Sequence, residues 1–178
     1  MKFHFSLADW RLWDKYILGL TYMILSLLFG GMVFFTFFVG PVLFSNLDSK
    51  LAGSIMNLIF PYYFKMQWIS GILIYTLIGI YSYLDKEAIK KLKLFLILVG
   101  LFVIIGMALD RAIYPTAKSF ILEYYSLIQE NHIEAAKNMK EKFDTFHKIS
   151  SGLNMMNIII VSGLILTFLK FTIAKPKD

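Results

Sequence analysis

The residues with chemical capacity in this chain fall in three short stretches. One reads His147-Lys-Ile-Ser-Ser151-Gly-Leu-Asn154-Met-Met-Asn157. At about 100° per residue of α-helix, His147, Ser151 and Asn154 share one narrow strip. Ser150 and Asn157 flank it on one side and Ser162 on the other. A second stretch reads Phe60-Pro61-Tyr62-Tyr63-Phe64-Lys65-Met66-Gln67, where Tyr63, Gln67 and Ser70 share a face at i, i+4 and i+7. The third is Asp110-Arg111-Ala-Ile-Tyr114-Pro115. These side chains offer three kinds of chemistry. His147 with thioethers from Met56, Met66, Met107, Met155 or Met156 suits a copper(I) or haem site. His147 beside Asp110 or Asp144 suits acid–base work, as in a quinone-reactive membrane enzyme. The amides and hydroxyls suit a small-solute site or, more plainly, hydrogen bonding between helices.

What is absent narrows the choice. The chain has no Cys, so disulfides, thiolate nucleophiles and iron–sulfur clusters are excluded. No serine elbow, paired carboxylates, His-Glu-x-x-His or phosphate loop is present. A bis-histidine haem needs two inward histidines, and His4 and His132 lie outside the apolar runs. Nine Met in 178 residues is also an ordinary packing complement. The balance favours a non-enzymatic membrane protein, either a structural or accessory subunit or a module handling a small solute or metal. The alternatives are a haem or copper protein or a quinone-reactive enzyme.

The elements that hold these residues follow from the apolar runs. Hydrophobic residues make up 58% of the chain and charged residues 17%, with a mean hydropathy of +0.65. A soluble domain carries about 45–50% apolar and about 25% charged residues, so a soluble globular enzyme is excluded. About 20 apolar residues cross a bilayer. The runs predict four spans, at about residues 16–44, 57–84, 94–114 and 147–169. The fold class is therefore all-α, a membrane-embedded four-helix bundle forming a single domain over residues 1–178.

Charge supplies topology. The net charge of +6 comes mainly from Lys and Arg beside apolar runs, where they anchor helices to lipid headgroups rather than to nucleic acid. Lys2, Arg11 and Lys15 precede the first span; Lys86, Lys90, Lys91 and Lys93 sit between the second and third; Lys170, Lys175 and Lys177 follow the fourth. Both termini are thus expected on the cytoplasmic side, in a bacterial inner membrane. Asp9 and Asp14 and the absence of a small-residue cleavage pattern argue against a cleaved signal peptide. Trp10, Trp13 and Tyr16 read as an interfacial collar.

Residues 116–146 carry Phe120, Tyr124, Leu127, Ile128, Ala135, Met139, Phe143 and Phe146 at helical spacing. Their charged face predicts an amphipathic helical lid resting on the bundle or membrane, or an arm docking a membrane-protein partner or second copy. Asn131 followed by Glu134 resembles a capping box, placing a break near Gln129–Asn131. Pro61 suits the first turn of the second span. Gly30 and Gly31 suit close helix packing. Arg111 is expected to snorkel or to meet Asp48 or Asp144, since neighbours on a helix diverge.

Three motifs carry a family resemblance. They are Gly31-Met-Val-Phe-Phe-Thr-Phe-Phe-Val-Gly-Pro41-Val-Leu-Phe44, Leu51-Ala-Gly-Ser-Ile-Met-Asn-Leu-Ile-Phe60-Pro61-Tyr-Tyr-Phe64, and Phe146-His147-Lys-Ile-Ser150-Ser-Gly-Leu-Asn154-Met-Met-Asn157. In this order the chain resembles the transmembrane protein 205-like proteins, a domain of unknown function numbered 4149. The resemblance implies a four-helix membrane domain and supplies no settled activity.

In an antiparallel bundle the three polar stretches meet at one end. The expected site there comprises His147, Ser151, Asn154, Asn157, Tyr63, Gln67, Asp110 and Arg111, with His147 as the candidate metal ligand.

Overall fold

The computed structural model describes residues 7–173, with side chains from Trp13 onward except Leu84. Trp10 and Arg11 of the expected collar, together with Lys2, His4, Asp9, Lys175 and Lys177, lie outside the described side chains. The described residues form α1 (Leu7–Phe34), α2 (Gly40–Asn46), α3 (Ser49–Leu84), α4 (Lys86–Lys91), α5 (Lys93–Ala108), α6 (Tyr114–Gln129) and α7 (Ile133–Ile173), with no strand. Two π-helical turns, Phe35–Val39 and Leu109–Ile113, join α1 to α2 and α5 to α6. Four continuous helical stretches are long and apolar enough to cross a membrane: Trp13–Asn46, Ser49–Tyr83, Lys93–Gln129 and Ile133–Ile173. The protein is an integral membrane helical bundle.

α1 packs on α3 and α7, and α5 packs on the same two helices. The ring therefore runs up-down-up-down, with α3 and α7 on one diagonal. Its core is apolar and includes Leu25, Ile74, Ile78, Phe102, Val161 and Leu164, all at most 1% exposed. Large apolar side chains such as Leu27, Ile104, Ile159 and Leu166 are at least 65% exposed, a surface that suits lipid rather than water.

α3 and α5 approach closely because two glycines remove side chains from their contact. A Cβ on Gly71 would stand 2.6 Å from Val103 Cγ2, and one on Gly106 would stand 3.3 Å from the Trp68 backbone nitrogen. Small residues serve this purpose in membrane bundles. Gly30 and Gly31, expected in that role, do not fill it. A Cβ on Gly30 would meet nothing within 4 Å, and one on Gly31 only the Met66 terminal methyl at 3.6 Å.

The prolines explain the irregular turns. A proline nitrogen cannot donate, so the ladder loosens just before it. Both π turns end immediately before X-Pro pairs, Gly40-Pro41 and Tyr114-Pro115, and Gly40 and Tyr114 donate to Phe35 O and Leu109 O. Pro61 does not begin a helix as expected; it sits inside the 36-residue α3, which starts at the Asp48 N-cap. The bond it cannot make frees the Asn57 carbonyl, and the Tyr114 hydroxyl donates to that oxygen at 2.8 Å. Tyr114→Phe should therefore cost about 1 kcal/mol. In a Pro61→Ala background the loss should shrink, because a restored N–H would serve Asn57. Equilibrium unfolding of the four proteins in mixed micelles checks this coupling.

Residues 116–146 are not a separate lid. They continue the third span as α6 and begin α7, which pack along each other as a helical hairpin. The break falls where expected, at residues 130–132, but by another device. Asn131 is left-handed at φ 59°, and His132 N–H and Asn131 N–H donate to Leu127 O and Ile128 O. That is a Schellman ending of α6, with Asn131 as its left-handed residue instead of an N-cap.

Candidate functional site

Five side chains from three helices meet inside the bundle. Thr36 comes from the first π turn, Tyr63 and Gln67 from α3, and Asn154 and Asn157 from α7. Tyr63 packs by virtue of its motif: Phe60, Tyr63 and Phe64 point inward at i, i+3 and i+4, while Tyr62 is 75% exposed. The Phe35 ring stacks on Tyr63 at 4.3 Å between centroids, and Phe60 and Phe64 stack at 5.4 Å. Aromatic walls thus exclude water from one side of the polar groups.

The amide placements give the direction of four bonds, and the donor inventory gives the fifth. The Tyr63 hydroxyl donates to Asn154 Oδ1 at 2.8 Å, and Gln67 Nε2 donates to the same oxygen at 3.1 Å. Asn154 Nδ2 donates to Thr36 Oγ1 at 3.0 Å. Since Tyr63 has spent its one hydrogen, the 3.3 Å contact between Thr36 Oγ1 and Tyr63 Oη has Thr36 as donor. Asn154, Thr36 and Tyr63 therefore close a ring in which each group donates to the next. Asn157 Nδ2 feeds the ring by donating to Gln67 Oε1 at 2.9 Å. In a low-dielectric interior such a chain polarises cooperatively. Its upstream end is open: Asn157 is fully buried and its Oδ1 has no partner.

A second polar group lies at the α3–α5 contact. The Asp110 side chain is 4% exposed and accepts from Trp68 Nε1 at 3.1 Å. Arg111 Nε stands 3.3 Å from the same carboxylate, and its guanidinium lies 5.9 Å from the Trp68 ring centre. The expected divergence of Asp110 and Arg111 is thus corrected. The π turn that contains both breaks regular helical spacing, and the long Arg111 side chain turns back to its neighbour. Gln67, Asp110 and Asn154 each stand about 25 Å of helix from the charged residues at the bundle's other end. A hydrocarbon core about 30 Å thick therefore places this layer near its far boundary. The exposed side chains of Lys65 and Arg111 occupy the same level.

The structure brings together Tyr63, Gln67, Asn154 and Asn157 from the expected set, and pairs Asp110 with Arg111 separately. It leaves out His147 and Ser151, which are exposed. The His147 ring stacks on Phe143 at 5.6 Å, with no carboxylate within ion-pair distance, and Asp144 bonds instead to Lys140. Asp144 and Asp110 therefore give it no acid–base partner. Among the described residues no group of three or more His, Asp or Glu side chains is placed to hold a metal ion. Met155 and Met156, offered as thioether ligands, are 39% and 40% exposed. Ser162 bonds back to Ile158 O within its own helix. Thr36 and Trp68 were missed. Each had a signal: an intramembrane Tyr–Asn pair needs further donors, and a buried carboxylate needs an N–H such as an indole supplies.

Comparison with known proteins adds a family and no activity. The chain is 29% identical over 143 residues, 80% of its length and 89% of the other's, to an "Uncharacterized protein" of Aquifex aeolicus (strain VF5). No solved structure matches. The family model described as "Domain of unknown function (DUF4149)" matches residues 23–126, which include Thr36, Tyr63, Gln67, Trp68 and Asp110. With more than half of its length matched, this integral membrane chain belongs to the DUF4149 family.

Proposed function

We propose that the protein is a non-enzymatic membrane module that binds a small neutral hydrogen-bond donor at the Asn157 end of the polar chain. One observation carries the reading: the buried Asn157 Oδ1 is an unpaired acceptor at the head of an otherwise satisfied chain. A buried amide oxygen without a donor costs about 1–3 kcal/mol, so a hydroxyl or amide N–H arriving there recovers that loss. A neutral ligand fits best, because the five side chains carry no charge to offset a buried ion. Burial supports a route: it rises along α7 from His147 and Ser151, exposed, through Asn154, half-buried, to Asn157, fully buried.

The lysine distribution supports termini on the cytoplasmic side of a bacterial inner membrane, with the polar layer towards the outer face. The transmembrane protein 205-like relationship belongs to the same proposal, resting on the Phe60–Phe64 and His147–Asn154 elements.

Organic extracts of protein purified in native-lipid particles test the reading. Wild type should release an uncharged hydroxyl- or amide-bearing compound near stoichiometry, and Asn157→Leu should release none. Identical extracts from folded wild type and Asn157→Leu would reject the binding function. A stabilised Asn157→Leu protein with unchanged extract would assign the polar chain to helix packing alone.

A further inference from the structure

At the opposite end of the bundle, α3, α4 and α5 line an open surface groove of about 510 Å³. Its mouth carries Lys90 and Lys93, and its floor is apolar, from Ile89 through Leu96 and Ile97 to Gly100, with Tyr75 across from them on α3. We infer that this groove is a binding site for one anionic phospholipid, with the phosphate at Lys90 and Lys93 and an acyl chain running down past Tyr75.

Charge places the headgroup. Lys93 opens α5 and has no ion-pair partner among the described residues. Lys90 pairs with Glu87 at 3.0 Å, yet both side chains are more than 70% exposed. Such a surface pair holds its lysine by little, so Lys90 is free to turn to a phosphate. No side chain caps the N-terminus of the 16-residue α5, whose dipole adds a positive field at the same point.

Shape places the chain. Gly100 lies about 10 Å of helix from Lys93, and each headgroup layer is only about 5–8 Å thick, so Gly100 falls at acyl-chain depth below a phosphate at Lys93. A Cβ there would meet nothing within 4 Å, so the groove owes its depth to the missing side chain. Below it, Leu101 and Ile104 are exposed and continue the apolar track. A basic mouth above an apolar slot between spanning helices is the pattern that anionic lipid headgroups recognise. A zwitterionic lipid would cancel its own phosphate with its amine, and a free phosphate would leave the floor bare.

Native mass spectrometry of the purified full chain, titrated with phosphatidylglycerol or phosphatidylcholine of identical chains, tests the site. Phosphatidylglycerol should be retained at least about tenfold better. Lys90→Glu with Lys93→Glu should remove the preference. Gly100→Phe, which fills open space and should leave the fold intact, should also remove retention without changing charge. Lys86→Glu with Lys91→Glu, outside the groove, should keep the preference. Equal retention of the two lipids, loss of preference in the Lys86/Lys91 variant, or full retention by folded Gly100→Phe would each overturn the assignment.

Discussion

Replacing Asn154 by Leu should lower bundle stability by about 2 kcal/mol at the average of about 0.6 kcal/mol per interhelical hydrogen bond, and by about 5 at the upper value of about 1.7. Three bonds go at once. The Tyr63 hydroxyl and Gln67 Nε2 lose their acceptor, and Thr36 Oγ1 loses its donor. Gln67 is fully buried and Tyr63 nearly so, so neither recovers the loss from water. The comparison that isolates the effect is Ser151→Leu one turn earlier, and His147→Ala beyond it. Both positions are exposed and outside the hydrogen-bonded chain, so each should change stability by less than about 0.5 kcal/mol. Unfolding titrations in mixed micelles give all three values. A cost at His147 equal to that at Asn154 would show that the chain of bonds is not what ties α7 to α3.

Gly71→Val should be the other large effect. Its first added carbon would stand 2.6 Å from Val103 Cγ2 and 3.0 Å from Phe102 Cδ1. Phe102 is 1% exposed, and the β-branched Val103 has few rotamers to escape into. Overpacking of this kind costs about 1–3 kcal/mol, and here it pushes apart two helices that also carry the Trp68–Asp110 bond. Gly79→Val on the same helix meets nothing within 4 Å and should be close to neutral. The measurement is the midpoint of unfolding, with Trp fluorescence reporting whether Trp68 remains in place. Equal midpoints for the two variants would mean that α3 and α5 are not held at the described distance.

Hydropathy made the spans legible because a bilayer demands a minimum length of apolar residues whatever the packing. It misplaced their ends for the same reason. The polar starts of α3 and α7, at Ser49 and Ile133, continue helically beyond the apolar run, where hydrogen bonding and not hydropathy sets the boundary. The three polar stretches were also legible, since side chains that lipid cannot satisfy must turn inward. Periodicity ranked His147 with Asn154, yet only Asn154 sits where α7 faces α3 across the bundle. Two helical turns further out, α7 runs beside α6 and leaves His147 exposed, stacked on Phe143.

By itself the sequence determined an all-helical, four-span membrane chain and the end of the bundle at which its polar groups gather. Length, apolar content and the cost of unpaired groups in lipid are properties of the chain alone. Only the tertiary structure decided which groups bond. Thr36 enters through a π turn created by a proline, Tyr114 serves a carbonyl that Pro61 frees, and Arg111 folds back on Asp110. Each of these depends on helix rotation and separation, set by side-chain packing such as Gly71 against Phe102, to which hydropathy and periodicity are blind.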